Sequence, residues 1–145
     1  MADIVDSATR SRMMAGIRAG NTRPERLLRS ALHKRGLRFR LHARKLPGKP
    51  DLTFPRFKAV VFVHGCFWHR HSDCRYASTP TTRPEFWQAK FATNVERDSR
   101  NLAMLLALGW RVAVVWECAL RKGVEPVAEA VLEWLTNSKS EQLEL

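Results

Sequence analysis

"PDLTFPRFKAVVFVHGCFWHRHSDC", Pro50 to Cys74, holds two apolar runs, a short turn between them, and then three histidines, two cysteines and two aromatic rings in close succession. "DLTF" and "KAVVFVH" read as two strands joined at "PRFK". With the turn centred between Arg56 and Phe57, Asp51 falls opposite Phe62. Same-face residues recur every second position, so His64 lies diagonally on Asp51's face. A carboxylate beside a histidine at the open end of a hairpin is a candidate hydrated-metal site, because Mg²⁺ is commonly held by one or two carboxylates plus water and phosphate oxygens. The competing reading is an Asp51 that caps its own turn after "PGKP".

Working outward, the tetrapeptide "TRPE" occurs at Thr22 and again at Thr82. Each copy reads as a helix start, with Thr as N-cap, Pro in the first turn and Glu completing a capping box. The first helix then covers about Arg23 to Arg35 and stops at Gly36. "LRFRLH" alternates Leu37, Phe39 and Leu41 with Arg38, Arg40 and His42, as a half-buried strand does. Val63 to Cys74 and "RYASTPT" form a long loop. A second helix covers about Pro84 to Leu108, "RVAVVWE" is a buried strand, and "EPVAEAVLEWL" is a last amphipathic helix. Ile4 to Ile17 is a further, weakly patterned helix. This order gives an α/β domain, a mixed β-sheet flanked by helices. The 145 residues contain no dividing linker and read as one domain, with an N-terminal arm over about 1–20 and a tail over about 137–145 that need not be ordered.

The net charge of +11 is concentrated in residues 1–50, which hold thirteen Lys/Arg against three acids. A basic half on a folded domain points to a polyanion partner, most often nucleic acid. The longest apolar run, "LAMLLAL", is far too short to span a membrane, and no secretory signal precedes the domain. These features predict a soluble intracellular protein.

Some residues fit poorly as structure alone. The apolar seam of the long helix, read as Trp87, Phe91, Val95, Leu102 and Leu105, places Asp98 among them. A carboxylate facing a core needs a partner; His64 is one candidate and an arginine is the other. Cys66, His71 and Cys74 form a compact three-ligand cluster that Cys118, at the end of the "VVWEC" strand, could complete as a tetrahedral Cys₃His zinc site. His69 competes with His71 on spacing, and free buried thiols are the alternative. Phe67, Trp68 and Trp87 read as core, unless a metal-tied loop exposes them as a wedge for a base stack. Glu25 is accounted for by its capping box.

"LPGKPDL", "FVHGCFWHRHSDC", "TRPEFWQAKFATNVERD" and "LGWRVAVVWECAL" closely resemble the very short patch repair (Vsr) DNA mismatch endonucleases, and the match extends over roughly residues 2 to 121. The resemblance implies a restriction-endonuclease-like fold and Mg²⁺-dependent nicking of one DNA strand, 5′ of the thymine in a T:G mispair left by deamination of 5-methylcytosine. It implies that Asp51 and the backbone carbonyl of Val63 hold the metal, that His64 pairs with Asp98, and that His69 is the general acid/base. Glu25 would touch the water around that metal. Cys66, His71, Cys74 and Cys118 would hold structural Zn²⁺, and Phe67, Trp68 and Trp87 would form the wedge. A bacterial cytoplasmic monomer acting on double-stranded DNA follows, linked in function to a cytosine-5 methyltransferase and to mismatch-repair proteins. Two alternatives stay open: a non-catalytic zinc-stabilised DNA-binding module, and a nuclease of the same fold with another DNA target.

Overall fold

The computed structural model describes residues 22–145; the arm and helix expected before them lie outside the described residues. Helix α1, Arg23–Lys34, starts as its sequence predicts: the Thr22 hydroxyl accepts the Glu25 amide at 3.4 Å. Leu28, Ala31 and Leu32 form its buried face. Gly36 takes a left-handed φ of +87°, which turns the chain back so that the Leu37 amide reaches the Leu32 carbonyl at 3.2 Å.

The sheet runs β1-β2-β3-β4-β5 in sequence order. Strands β1 (Arg40–Leu41), β2 (Leu52–Phe54) and β3 (Ala59–His64) pair antiparallel, whereas β4 (Arg111–Trp116) and β5 (Gln142–Glu144) extend the sheet in parallel. A mixed sheet of this kind needs a helical crossover between β3 and β4. Helix α3, Pro84–Ala107, supplies it, after the one-turn helix α2, Cys66–His69. Alternation along β3 divides the core. Ala59 and Val61 pack with α1 and with α5 (Val124–Asn137), which follows the short helix α4 (Glu117–Lys122), while Val60 packs with Leu105 of α3 on the other face.

Several expectations need correction. The Leu37–His42 strand shrinks to two residues, and Leu41 is exposed. The second "TRPE" is not a capping box: Arg83, at φ +55°, is the N-cap of α3, and no side chain caps that end. Val95 is 46% exposed, so the buried face of α3 runs through Asn94 instead. The segment from Val63 to Cys74 contains a helical turn. The tail is built into the sheet as β5, where the Trp116 indole donates to the Glu144 carboxylate at 2.8 Å. Arg111 holds the preceding bend by donating to the carbonyls of Trp134, Leu135, Ser138 and Ser140.

Candidate active site and metal centre

Leu52 pairs with Val61, so extending the register sets Asp51 opposite Phe62, as the turn predicts. Strand β2 begins only at Leu52, however, and the Asp51 carboxylate takes the place of a ladder partner by accepting the Val63 amide at 2.7 Å. A strand residue's N–H and C=O leave from the same edge, so the Val63 carbonyl opens on Asp51's side.

This geometry groups Asp51 with Glu25 and His42 rather than with His64. Asp51 is 7% exposed and Glu25 1%. Burial, and then a hydrogen bond that the protonated Asp51 carboxyl donates to Glu25, pushes Asp51 up to about 8. Two buried carboxyls side by side form a pocket for positive charge, so the donor set fits a hard divalent cation. Glu25 also accepts from Arg29 at 2.9 Å and meets His42 Nε2 at 3.0 Å. Its side chain is thus drawn into the site, although its amide serves the helix cap.

The second group is His64, His69 and Asp98. The expected His64–Asp98 pair is replaced: Asp98 Oδ2 lies 2.6 Å from Nδ1 of His69. Helix α2 carries His69 over the face of α3, while His64 stays in β3 and stacks on the His69 ring at 3.9 Å and 5°. Burial, and then the charge of His69, pulls His64 down to about 3, so its ring is neutral. A carboxylate oxygen accepts, so the contact sets an N–H of His69 on Nδ1 toward Asp98 and leaves Nε2 as the ring's other nitrogen. His69 lines one cavity with Glu25, Asp51 and Val63.

Cys66, His71, Cys74 and Cys118 come together as the spacing suggests, and His69 is left outside the set. Their donor atoms all lie within 4.8 Å of one another. Four tetrahedral ligands at about 2.3 Å would spread sulfurs about 3.8 Å apart, so the set could hold a metal ion. Burial pushes the Cys66 thiol up to about 12. Without a cation the Cys66 thiol stays protonated, and metal binding would release its proton. Trp116 ties this cluster to the histidines, stacking on His71 at 4.2 Å and meeting His64 edge-on at 5.2 Å.

The aromatic residues form one group. Phe67 packs against Trp68 at 5.0 Å and Trp87 at 5.7 Å. Phe67 and Trp68 line the cavity, but Trp87, expected in the wedge, is only 5% exposed and lies against them as support. The exposed ring of the group is Phe86, at 46%. Asn94 holds α2 in place by donating to the Trp68 carbonyl at 3.1 Å.

Sequence reasoning missed the roles of His42, Asn94 and Trp116. For His42 a signal existed. Arg40 pairs with Thr53 and Leu41 with Leu52, so the same register sets His42 opposite Asp51, and its amide donates to the Asp51 carbonyl at 3.1 Å.

Comparison with known proteins identifies the chain's relatives. The family model "DNA mismatch endonuclease Vsr" matches residues 2–76. DNA mismatch endonuclease Vsr of Escherichia coli (strain K12) is 47% identical over 93% of this chain and 86% of its own. The type II nicking enzyme V.XorIIP of Xanthomonas oryzae pv. oryzae is 50% identical over 83% of this chain and 88% of its own. Among solved structures, the catalytic domain of homing endonuclease I-Bth0305I superposes with a TM-score of 0.57 at 19% identity, over 83% of this chain and all of that one, a likeness of fold. The fold is thus restriction-endonuclease-like, and the chain belongs to the DNA mismatch endonuclease Vsr family.

Proposed function

We propose that the protein nicks one strand of duplex DNA on the 5′ side of the thymine in a T:G mispair, with a divalent cation at Asp51. The observation that carries this reading is the convergence on one cavity of three parts: the Asp51–Glu25 carboxyl pair, the Asp98-oriented His69, and the rings of Phe67 and Trp68. Its relatives include enzymes named for nicking and for mismatch cleavage, which supports a single-strand cut at a mispair.

Asp51, Glu25 and the Val63 carbonyl would hold Mg²⁺, which when bound supplies charge neutralisation at the scissile phosphate and the departing oxygen. His69 takes the proton of the attacking water on Nε2, and Asp98 keeps that nitrogen free to accept it. The neutral His64 ring lets His69 become charged without a second cation stacked on it. Arg97 and Lys90, which line the cavity, contact backbone phosphates.

Phe67 and Trp68 enter the base stack with Trp87 behind them. Unstacking costs a few kcal/mol and is cheapest at a mispair, so the wedge contributes to selectivity. Zn²⁺ on Cys66, His71, Cys74 and Cys118 fixes the loop that carries both the wedge and His69. None of the described helices is long and apolar enough to cross a membrane. We place the enzyme in the bacterial cytoplasm, acting after cytosine methylation.

The test is a panel of duplexes carrying T:G, other mispairs or no mispair, incubated with Mg²⁺ in varied sequence contexts. The reading requires nicks in T:G duplexes and intact matched controls. Binding to T:G duplexes without a nick in any context would favour a binding module, and equal cutting of matched DNA would favour a nuclease with another target.

A further inference from the structure

His42 is the one member of the Glu25–His42–Asp51 group to which the proposed reaction gives no task. It is held there by three independent features. Its amide donates to the Asp51 carbonyl, its ring nitrogen Nε2 lies 3.1 and 3.0 Å from the two Glu25 oxygens, and its backbone sits at φ +49°. A non-glycine residue in the left-handed region is uncommon, and such conformations gather at functional sites. Ligands at adjacent corners of an octahedron with bonds of about 2.1 Å are about 3.0 Å apart. The Nε2–Glu25 separation therefore suits two neighbouring ligands of one ion as well as it suits a hydrogen bond.

We propose that His42 is a nitrogen ligand of the catalytic cation, and that the resulting Glu25–His42–Asp51 donor set makes this site select Mn²⁺ over Mg²⁺. The inference rests on the reading that Asp51 holds the cation. Carboxylates and a backbone carbonyl suit Mg²⁺ and Mn²⁺ alike, but an imidazole shifts preference toward the transition metal, because Mg²⁺ is hard and dehydrates reluctantly. The consequence is a nicking enzyme that runs on trace Mn²⁺ in the presence of excess Mg²⁺.

The experiment uses the full zinc-loaded chain without DNA. Mn²⁺ binding is followed by electron paramagnetic resonance, ¹⁴N coupling is read from the bound ion, and Mg²⁺ competition gives the affinity ratio. His42→Asn removes the imidazole while tolerating the left-handed backbone, and Asp51→Asn is run alongside. We expect directly bound ¹⁴N in the wild type, lost in His42→Asn together with about a tenfold fall in the Mn²⁺/Mg²⁺ ratio, with Mg²⁺ affinity nearly kept. Absence of ¹⁴N coupling in the wild type, or an unchanged ratio in His42→Asn, overturns the proposal even if Asp51→Asn abolishes binding, and leaves Asp51 as the metal residue. Unchanged Mn²⁺ binding in Asp51→Asn would instead overturn the underlying placement of the cation, and this inference with it.

Discussion

Asp98 Oδ2 lies 2.6 Å from His69 Nδ1, joining the middle of the long helix to the one-turn helix that follows β3. The contact sets both the tautomer and the ring plane of the proposed acid/base. Asp98→Asn should therefore leave the fold and DNA affinity near wild type and lower the single-turnover nicking rate about a hundredfold or more. An Asp98→Asn enzyme with a full rate would remove Asp98 from this role.

His64 is held neutral, its folded value of about 3 lying far below the ordinary 6.5. The unfolded chain thus binds the extra proton first. The contribution of His64 is complete above pH 6.5 and declines as pH falls from there toward 3. Relative to His64→Gln, the wild type should lose up to about 1.4 kcal/mol per pH unit below pH 6 in chemical denaturation. Parallel stability–pH curves for the two proteins would contradict the buried neutral ring.

Asp51 behaves in the opposite sense. Its folded value of about 8 lies above the ordinary 3.8, so without a cation its contribution is complete below pH 3.8 and is lost as pH rises through 8. Asp51→Asn keeps an acceptor for the Val63 amide and cannot ionise. It should melt above the wild type at pH 8 without Mg²⁺, by on the order of 1 kcal/mol in stability, while nicking is abolished. A variant less stable than the cation-free wild type would show that the carboxyl pair is not a strained one.

Cys118→Ser removes one donor from the thiol cluster, and the Cys118–His71 contact of 3.4 Å with it. Zinc content should fall below one equivalent, and the melting temperature should drop by about 10 °C or more. Full zinc and unchanged melting would reject the four-ligand site.

Much of this architecture was readable from particular residues. The "PRFK" turn gave the β2–β3 register, the cysteine spacing gave the thiol cluster, and the position of Asp98 on the helix seam marked it as needing a partner. What could not be read was direction in space. Periodicity left His64 or an arginine as the partner of Asp98 and could not tell that helix α2 would bring His69 to it. Arg83 in a left-handed conformation displaced the second capping box, a matter of tertiary routing that "TRPE" does not encode. Strand β5 depends on contacts from Arg111 and Trp116 across the fold rather than on its own short, acidic sequence. The burial of Trp87 follows from its place on the helix seam beside Phe91, but spacing within α3 does not reveal that Phe67 and Trp68 of α2 cover it.

The most direct test is to map the cut on a duplex labelled separately on each strand, with one T:G mispair and Mg²⁺, using the wild type and Asp51→Asn. A single nick immediately 5′ of the mispaired thymine, absent from the other strand, from matched DNA and from the variant, is the predicted result. Cutting that ignores the mispair, or that survives in Asp51→Asn, would contradict it.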